Sequence, residues 1–183
     1  MESVDSLIHQ LHSESVDDRF RAARGLVKHG PEAAPAIPHL IAALTDQCAP
    51  VTDSVMWALG AIGESAIEPL ATAARTGDPL LRQMACHALG RYAPHARAKM
   101  AVLIDLLNDS DTEVRNAAAA SLISLGQHLG RDHAYGAATL SDDELNAARQ
   151  LYPLLETFVG DADLDNGFAE QALMWLKPLR FLE

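Results

Sequence analysis

Aromatic residues are scarce in this chain, at 5% of 183 positions, although 49% of its residues are hydrophobic. Alanine and leucine make up the difference, and both favour helix. Apolar and polar residues rarely alternate with period two, which argues against strands. Cysteine occurs only as Cys48 and Cys86, outside any C-x-x-C spacing. The two read as small buried apolar residues in a reducing compartment, not as a disulfide framework. No apolar run approaches the ~18 residues that cross a bilayer. The opening MESVDSLIHQLH has no basic region ahead of an apolar one, so no secretory signal is expected. The cytoplasm is the expected location.

Bases are also few. The chain has 14 Lys and Arg against 25 Asp and Glu, for a net charge of -11. Residues 1–100 hold 11 acids and 9 bases, whereas residues 101–183 hold 14 acids and 5 bases. Nucleic-acid binding requires cations that neutralise phosphates. The balance therefore argues against nucleic acid, and equally against an anionic membrane surface. It favours a basic protein partner, although a solvated surface that keeps the chain soluble explains the same composition. No GxSxG, P-loop, GxGxxG or HExxH is present. No catalytic set and no cofactor is expected.

What is present is a repeat. RFRAARGL, TDSVMWAL, RQMACHAL, RNAAAASL and NGFAEQAL end at Leu26, Leu59, Leu89, Leu122 and Leu173. A leucine in a preceding helix stands at Leu7, Leu40, Leu70, Leu103 and Leu154, 19 residues earlier in all five cases. Each repeat is thus a helix A, a turn of fixed length and a helix B. Successive repeats are separated by 33, 30, 33 and 51 residues, and the first three suit a helical hairpin. The spacing predicts one domain over 1–183, with repeats at about 3–30, 31–63, 64–93, 94–126 and 143–180. An insert over 127–142 is expected to leave the compact repeat. Gly30, Gly63 and Gly126 stand where a C′ glycine ends helix B. Asp78 before Pro79, and Asp111, read as N-caps. Pro69 and Pro153 are expected to kink their helices.

The segment DTEVRNAAAASLISLG at 111–126 carries the pattern D-x-x-V-R-x-x-A-A-x-A-L-x-x-L-G. DPLLRQMACHALGRY at 78–92 is close to it, and PAIPHLIAALTD at 35–46 supplies the helix A pattern. These segments resemble the short HEAT-like repeats of the phycobilin-lyase type. The resemblance implies an all-α, right-handed α-solenoid of five two-helix repeats, with helix B lining its concave side. It also implies that Arg19, Arg82 and Arg115 bridge neighbouring repeats through aspartates in the turns. Thr52 and Asn166 replace that arginine in repeats two and five, where apolar stacking is expected instead.

The helix B positions that follow the arginine form a varied row beside the monotonous alanine–leucine seam. The row reads Phe20, Arg24, Lys28; Asp53, Trp57; Gln83, His87, Arg91; and Asn116. Trp and Arg are enriched at binding hot spots, so this row is the candidate protein-binding face. An acidic edge at Asp161, Asp163 and Asp165 is the competing candidate. Trp57 has an alternative reading as core. Trp175 is expected to cap the last repeat.

Metal binding and catalysis are the remaining readings. His9 and His12 lie three apart on one helix, and His128, Asp132 and His133 cluster in the insert, but neither set is complete. No metal is therefore expected. The resemblance also brings in deoxyhypusine hydroxylases, which need His-Glu dipeptides that this chain lacks. HEAT-like DNA glycosylases need a basic groove. The preferred function is protein–protein recognition, in its narrowest form an immunity protein that neutralises a toxin. The alternatives are an accessory subunit of a tetrapyrrole lyase and a metal- or small-molecule-dependent enzyme. Oligomeric state is left open.

Overall fold

Short polar side chains open several of the helices. Ser3 accepts the Ser6 amide at 3.2 Å and starts α1 (Val4–Gln10). Ser15 accepts the Asp18 amide at 3.4 Å and starts α2 (Val16–His29). Each satisfies an amide that has no partner within its own helix. A computed structural model describes residues 2–91, 96–134 and 142–158, together with positions 170, 173, 174 and 177. Among these described residues there is no strand.

The helices continue as α3 (Ile37–Ala42), α4 (Ala49–Ile62), α5 (Ile67–Thr76), α6 (Pro79–Gly90), α7 (Ala96–Leu106), α8 (Thr112–Ala134) and α9 (Asp142–Phe158). Short 3-10 segments at Gly30–Ala36 and Gly63–Ala66 lead into α3 and α5. Asp78 caps α6 by accepting the Leu81 amide at 2.9 Å, with Pro79 at the first helical position. Asp111 caps α8 by accepting the amides of Glu113 and Val114 at 2.9 and 3.4 Å.

The chain divides into two compact units, Met1–Ala88 and Leu89–Glu183. In the first unit α1 pairs with α2, α2 lies along α4, and α3 touches α5. Helix B thus stacks on helix B, and helix A on helix A. In the second unit α7 pairs with α8, and α9 packs against both. The fold class is an all-α solenoid of helical hairpins.

The leucine ladder is the core. Leu26, Leu59, Leu89 and Leu122 are 0–2% exposed, and Leu7, Leu40, Leu70 and Leu103 are 0–4% exposed. Ala22, Ala23, Ala85, Cys86 and Ala118 are fully buried, so small side chains hold the closest helix contacts. The ladder fails in the fifth repeat. Leu154 and Leu173, expected to be buried, are only half-buried. On α9 the core positions are Leu151 and Leu155, both fully buried. Leu154 is one residue, about 100° of helix rotation, off that i,i+4 stripe.

Gly30 and Gly63 end helix B as expected. Their φ values of +56° and +83° lie in a region that glycine enters without steric cost. Gly126 does not end its helix. It is buried inside α8, which runs on to Ala134. The first half of the expected insert is therefore an extension of helix B. Leu122, Leu125 and Leu129 continue the apolar period through Gly126, whereas Pro31 directly follows Gly30. Residues 135–141 lie outside the described residues. Pro69 sits in the first turn of α5, where a missing amide costs nothing. Helix α9 continues through Pro153. Cys86 is buried as expected, but Cys48 is half-buried in the turn before α4.

Two substitutions test this account. Leu59→Ala should lower unfolding stability by about 2–5 kcal/mol, the range for an internal leucine. Gly63→Ala should lower it by about 1–3 kcal/mol, because a Cβ is strained at that backbone angle. Denaturant melts read both, and a cost near zero for Leu59→Ala would mean the ladder is out of phase.

Candidate binding surface

The turn between α3 and α4 is organised by Asp46. Arg19 donates Nε to Asp46 Oδ2 at 2.6 Å and Nη2 to Oδ1 at 3.1 Å, a two-pronged bond across 27 residues. The same guanidinium donates to the carbonyls of Ser13 and Glu14 at 2.9 and 3.0 Å. Asp46 also accepts the Cys48 amide at 2.9 Å. This contact joins repeat one to repeat two and sets the offset between α2 and α4. Arg115 instead donates to the carbonyls of Asp109 and Ser110, at 2.8 and 3.2 Å, and to the Thr112 hydroxyl at 2.8 Å. Arg82 donates to the Gly77 carbonyl at 3.0 Å. Thr52, which stands in the arginine position of repeat two, is buried and donates to the carbonyl of Asp46 at 3.2 Å. A short hydroxyl thus closes the turn there, beyond the apolar stacking expected.

With α2 and α4 fixed side by side, the row residues of the first two repeats converge. Phe20, Arg24, Lys28, Asp53 and Trp57 line one cleft of about 490 Å³. Phe20 and Arg24 are one turn apart on α2, and the guanidinium carbon lies 5.7 Å from the ring centroid. That is within cation–π range. Trp57 is 51% exposed, which removes the core reading of this residue. Arg24 and Lys28 are exposed, and no carboxylate of the described residues lies within ion-pair distance of either. A second depression of about 560 Å³ shares Phe20, Arg24 and Lys28 with the first.

Three lining residues were missed in the sequence. Val27, Pro50 and Ser54 complete the wall. Pro50, Ser54 and Trp57 follow i, i+4, i+7 on α4, so the signal was present in the helical period. Ser54 donates its hydroxyl to the Pro50 carbonyl at 2.8 Å.

The other row residues stand on later helices. Gln83 and His87 sit one turn apart on α6, both half-buried, and Arg91 follows that helix. Asn116 is half-buried on α8 in the second unit. Asp161, Asp163, Asp165 and Trp175 lie outside the described residues. His9 lies on α1 and His12 in the turn after it, so the two do not share one helix as expected. Among the described residues, no three of His, Cys, Asp and Glu gather as a metal centre.

The fold and the cleft define a class: a repeat scaffold of stacked hairpins with an open helix face. The HEAT-repeat model matches residues 4–79, 37–123 and 67–152 of the chain. The chain belongs to the HEAT-repeat family. Similar solved structures include an engineered protein, 19% identical over 100% of both chains with a TM-score of 0.45. A designed armadillo repeat protein is 18% identical over 95% of this chain and 100% of its own, with a TM-score of 0.41. The CpcE–CpcF complex of phycocyanin lyase from Nostoc sp. PCC7120 is 17% identical over 98% of this chain and 94% of its own, with a TM-score of 0.37. No curated protein matches. Among the described residues no helix is long and apolar enough to cross a membrane.

Two charges near the stack have shifted affinities for protons. The hydrogen bond from Arg19 holds the Asp46 carboxyl below its usual range. A depressed carboxylate contributes stability above its unfolded value and loses it as pH falls through the folded one. Asp46→Asn should therefore destabilise the chain at neutral pH and flatten the acid limb of its stability profile. Lys99 on α7 is 7% exposed, and burial pushes its ammonium down to about 8 from 10.5. Below about pH 8 both folded and unfolded chains carry that proton, and the buried charge costs its full amount. Stability should rise as pH climbs from about 8 to 10.5, by roughly 3 kcal/mol from this group alone. Urea melts across that window should show the slope, and Lys99→Met should remove it.

Proposed function

We propose that this chain is a non-enzymatic protein-recognition module that docks its partner on the helix B face of its first two repeats. One observation carries the reading. Trp57, a large apolar ring, stands 51% exposed in a cleft beside Phe20 and the cations Arg24 and Lys28. Leaving such a ring in water forgoes its burial, and a partner that covers it recovers that free energy. The guanidinium and ammonium supply orientation and attract acidic groups of the partner. Ser54 is bonded to a backbone carbonyl and is not poised as a nucleophile. The fold suits this use, because a stack of hairpins offers an extended surface.

The acidic second half adds a competing surface, at Asp161, Asp163 and Asp165, for a basic partner. The two surfaces are distinguished by charge. Reversal of the three aspartates spares a partner held in the cleft and releases one held at the edge. In the narrowest form the partner is a toxin that the chain neutralises, and a toxin gene beside this one would favour that form.

The test begins with a partner recovered from native lysate by pull-down. Trp57→Ala should weaken its binding by at least about tenfold, or ~1.4 kcal/mol. Thermal unfolding of the variant should match that of the parent, because Trp57 is outside the core. Arg24→Ala should slow association more than it speeds dissociation, and added salt should shrink the effect. Unchanged affinity in Trp57→Ala would move the site to the acidic edge.

A further inference from the structure

We propose that His12 and His39 form a two-histidine site for a divalent transition-metal ion of the nickel or copper class. His12 follows α1 and His39 lies on α3, so the site joins helix A of repeat one to helix A of repeat two. His12 Nε2 and His39 Nδ1 are 2.9 Å apart, with ring centroids 5.1 Å apart and planes crossed at 79°. At that distance two neutral imidazoles share one proton, one ring donating and the other accepting. The centroid distance means that the two nitrogens face head-on, so each ring must turn by about 45° for an ion at ~2.0–2.1 Å from both nitrogens to close an N–metal–N angle of about 90°. That is the cis angle of a square-planar or octahedral ion. A tetrahedral ion needs the nitrogens about 3.3 Å apart, so zinc fits less well.

Access is open, since His12 is exposed and His39 half-buried. The turn after α1 is tight, with the His12 amide donating to the His9 carbonyl at 3.2 Å. His12 meets His39 across the stack, and His9 is not a third member of the group. Among the described residues no other His, Cys, Asp or Glu completes the set. Water can fill the remaining positions. Both rings must be neutral to ligate, so acid competes with the metal. A bound ion clips α1 to α3 and stabilises the folded chain in proportion to its concentration.

Calorimetric titration of the untagged full chain with nickel chloride tests this, with magnesium chloride as the hard-cation control. The expected result is one saturable nickel site at pH 7.5, weakened at pH 5.5, and no magnesium binding. His12→Gln and His39→Gln should each weaken that site by about tenfold or more, because a chelate becomes a single ligand. His9→Ala should leave it unchanged. Nickel should raise the unfolding temperature of the parent and of His9→Ala but not of either glutamine variant, whose folding is checked by circular dichroism. Absence of saturable nickel binding overturns the site, as does equal affinity in His12→Gln or in His39→Gln. Loss of binding in His9→Ala overturns the assignment of its ligands.

Discussion

A helical hairpin has more apolar surface than its two helices can hide from water in each other, and the rest of this chain depends on that constraint. The surplus on α2 is covered by α4, and that on α7 and α8 by α9. Close approach needs small residues, hence the buried Ala22, Ala23, Ala85 and Ala118. Leucine then fills the layer between the hairpins. The Arg19–Asp46 bond comes after this packing and fixes its register, with the carboxylate 9% exposed and held by two guanidinium nitrogens and an amide. Ion pairs of this partly buried kind orient a contact more than they drive it.

The fold was legible because a stack repeats its own requirements. A constant 19-residue step from helix A to helix B marks the same two buried positions in each of the first four layers. Leu40 with Leu59, and Leu103 with Leu122, meet that condition. The reading failed where the layers stop being equivalent. Around Leu154 the 19-residue step persists while the buried stripe moves to Leu151 and Leu155. Gly126 failed for a different reason. A glycine ends a helix only when the following residues decline to continue it, and Gln127 onward continues the helix through Ala134.

The candidate face was legible in part. The i,i+4 row brought Phe20, Arg24 and Lys28 together because all three lie on one helix, and local geometry suffices for that. Their meeting with Asp53 and Trp57 needed only the neighbouring layer, which the repeat supplied. Gln83, His87, Arg91 and Asn116 share the row by analogy of position alone. The His12–His39 contact was illegible. Its members are 27 residues apart and belong to no shared position of the repeat, so only the stacked helices bring them together.

Trp57 and Leu59 are two residues apart on α4, one half in water and the other 2% exposed. That separation has an evolutionary consequence. On a helix, two residues are about 200° apart, so the seam and the exposed row rarely compete for the same positions. A change at Trp57 alters what the face can hold and leaves the stability margin nearly intact, whereas a change at Leu59 draws on that margin directly. New surface chemistries are therefore reachable by single substitutions that selection for folding does not remove. The surface of the scaffold can change across generations while its alanines and leucines stand still.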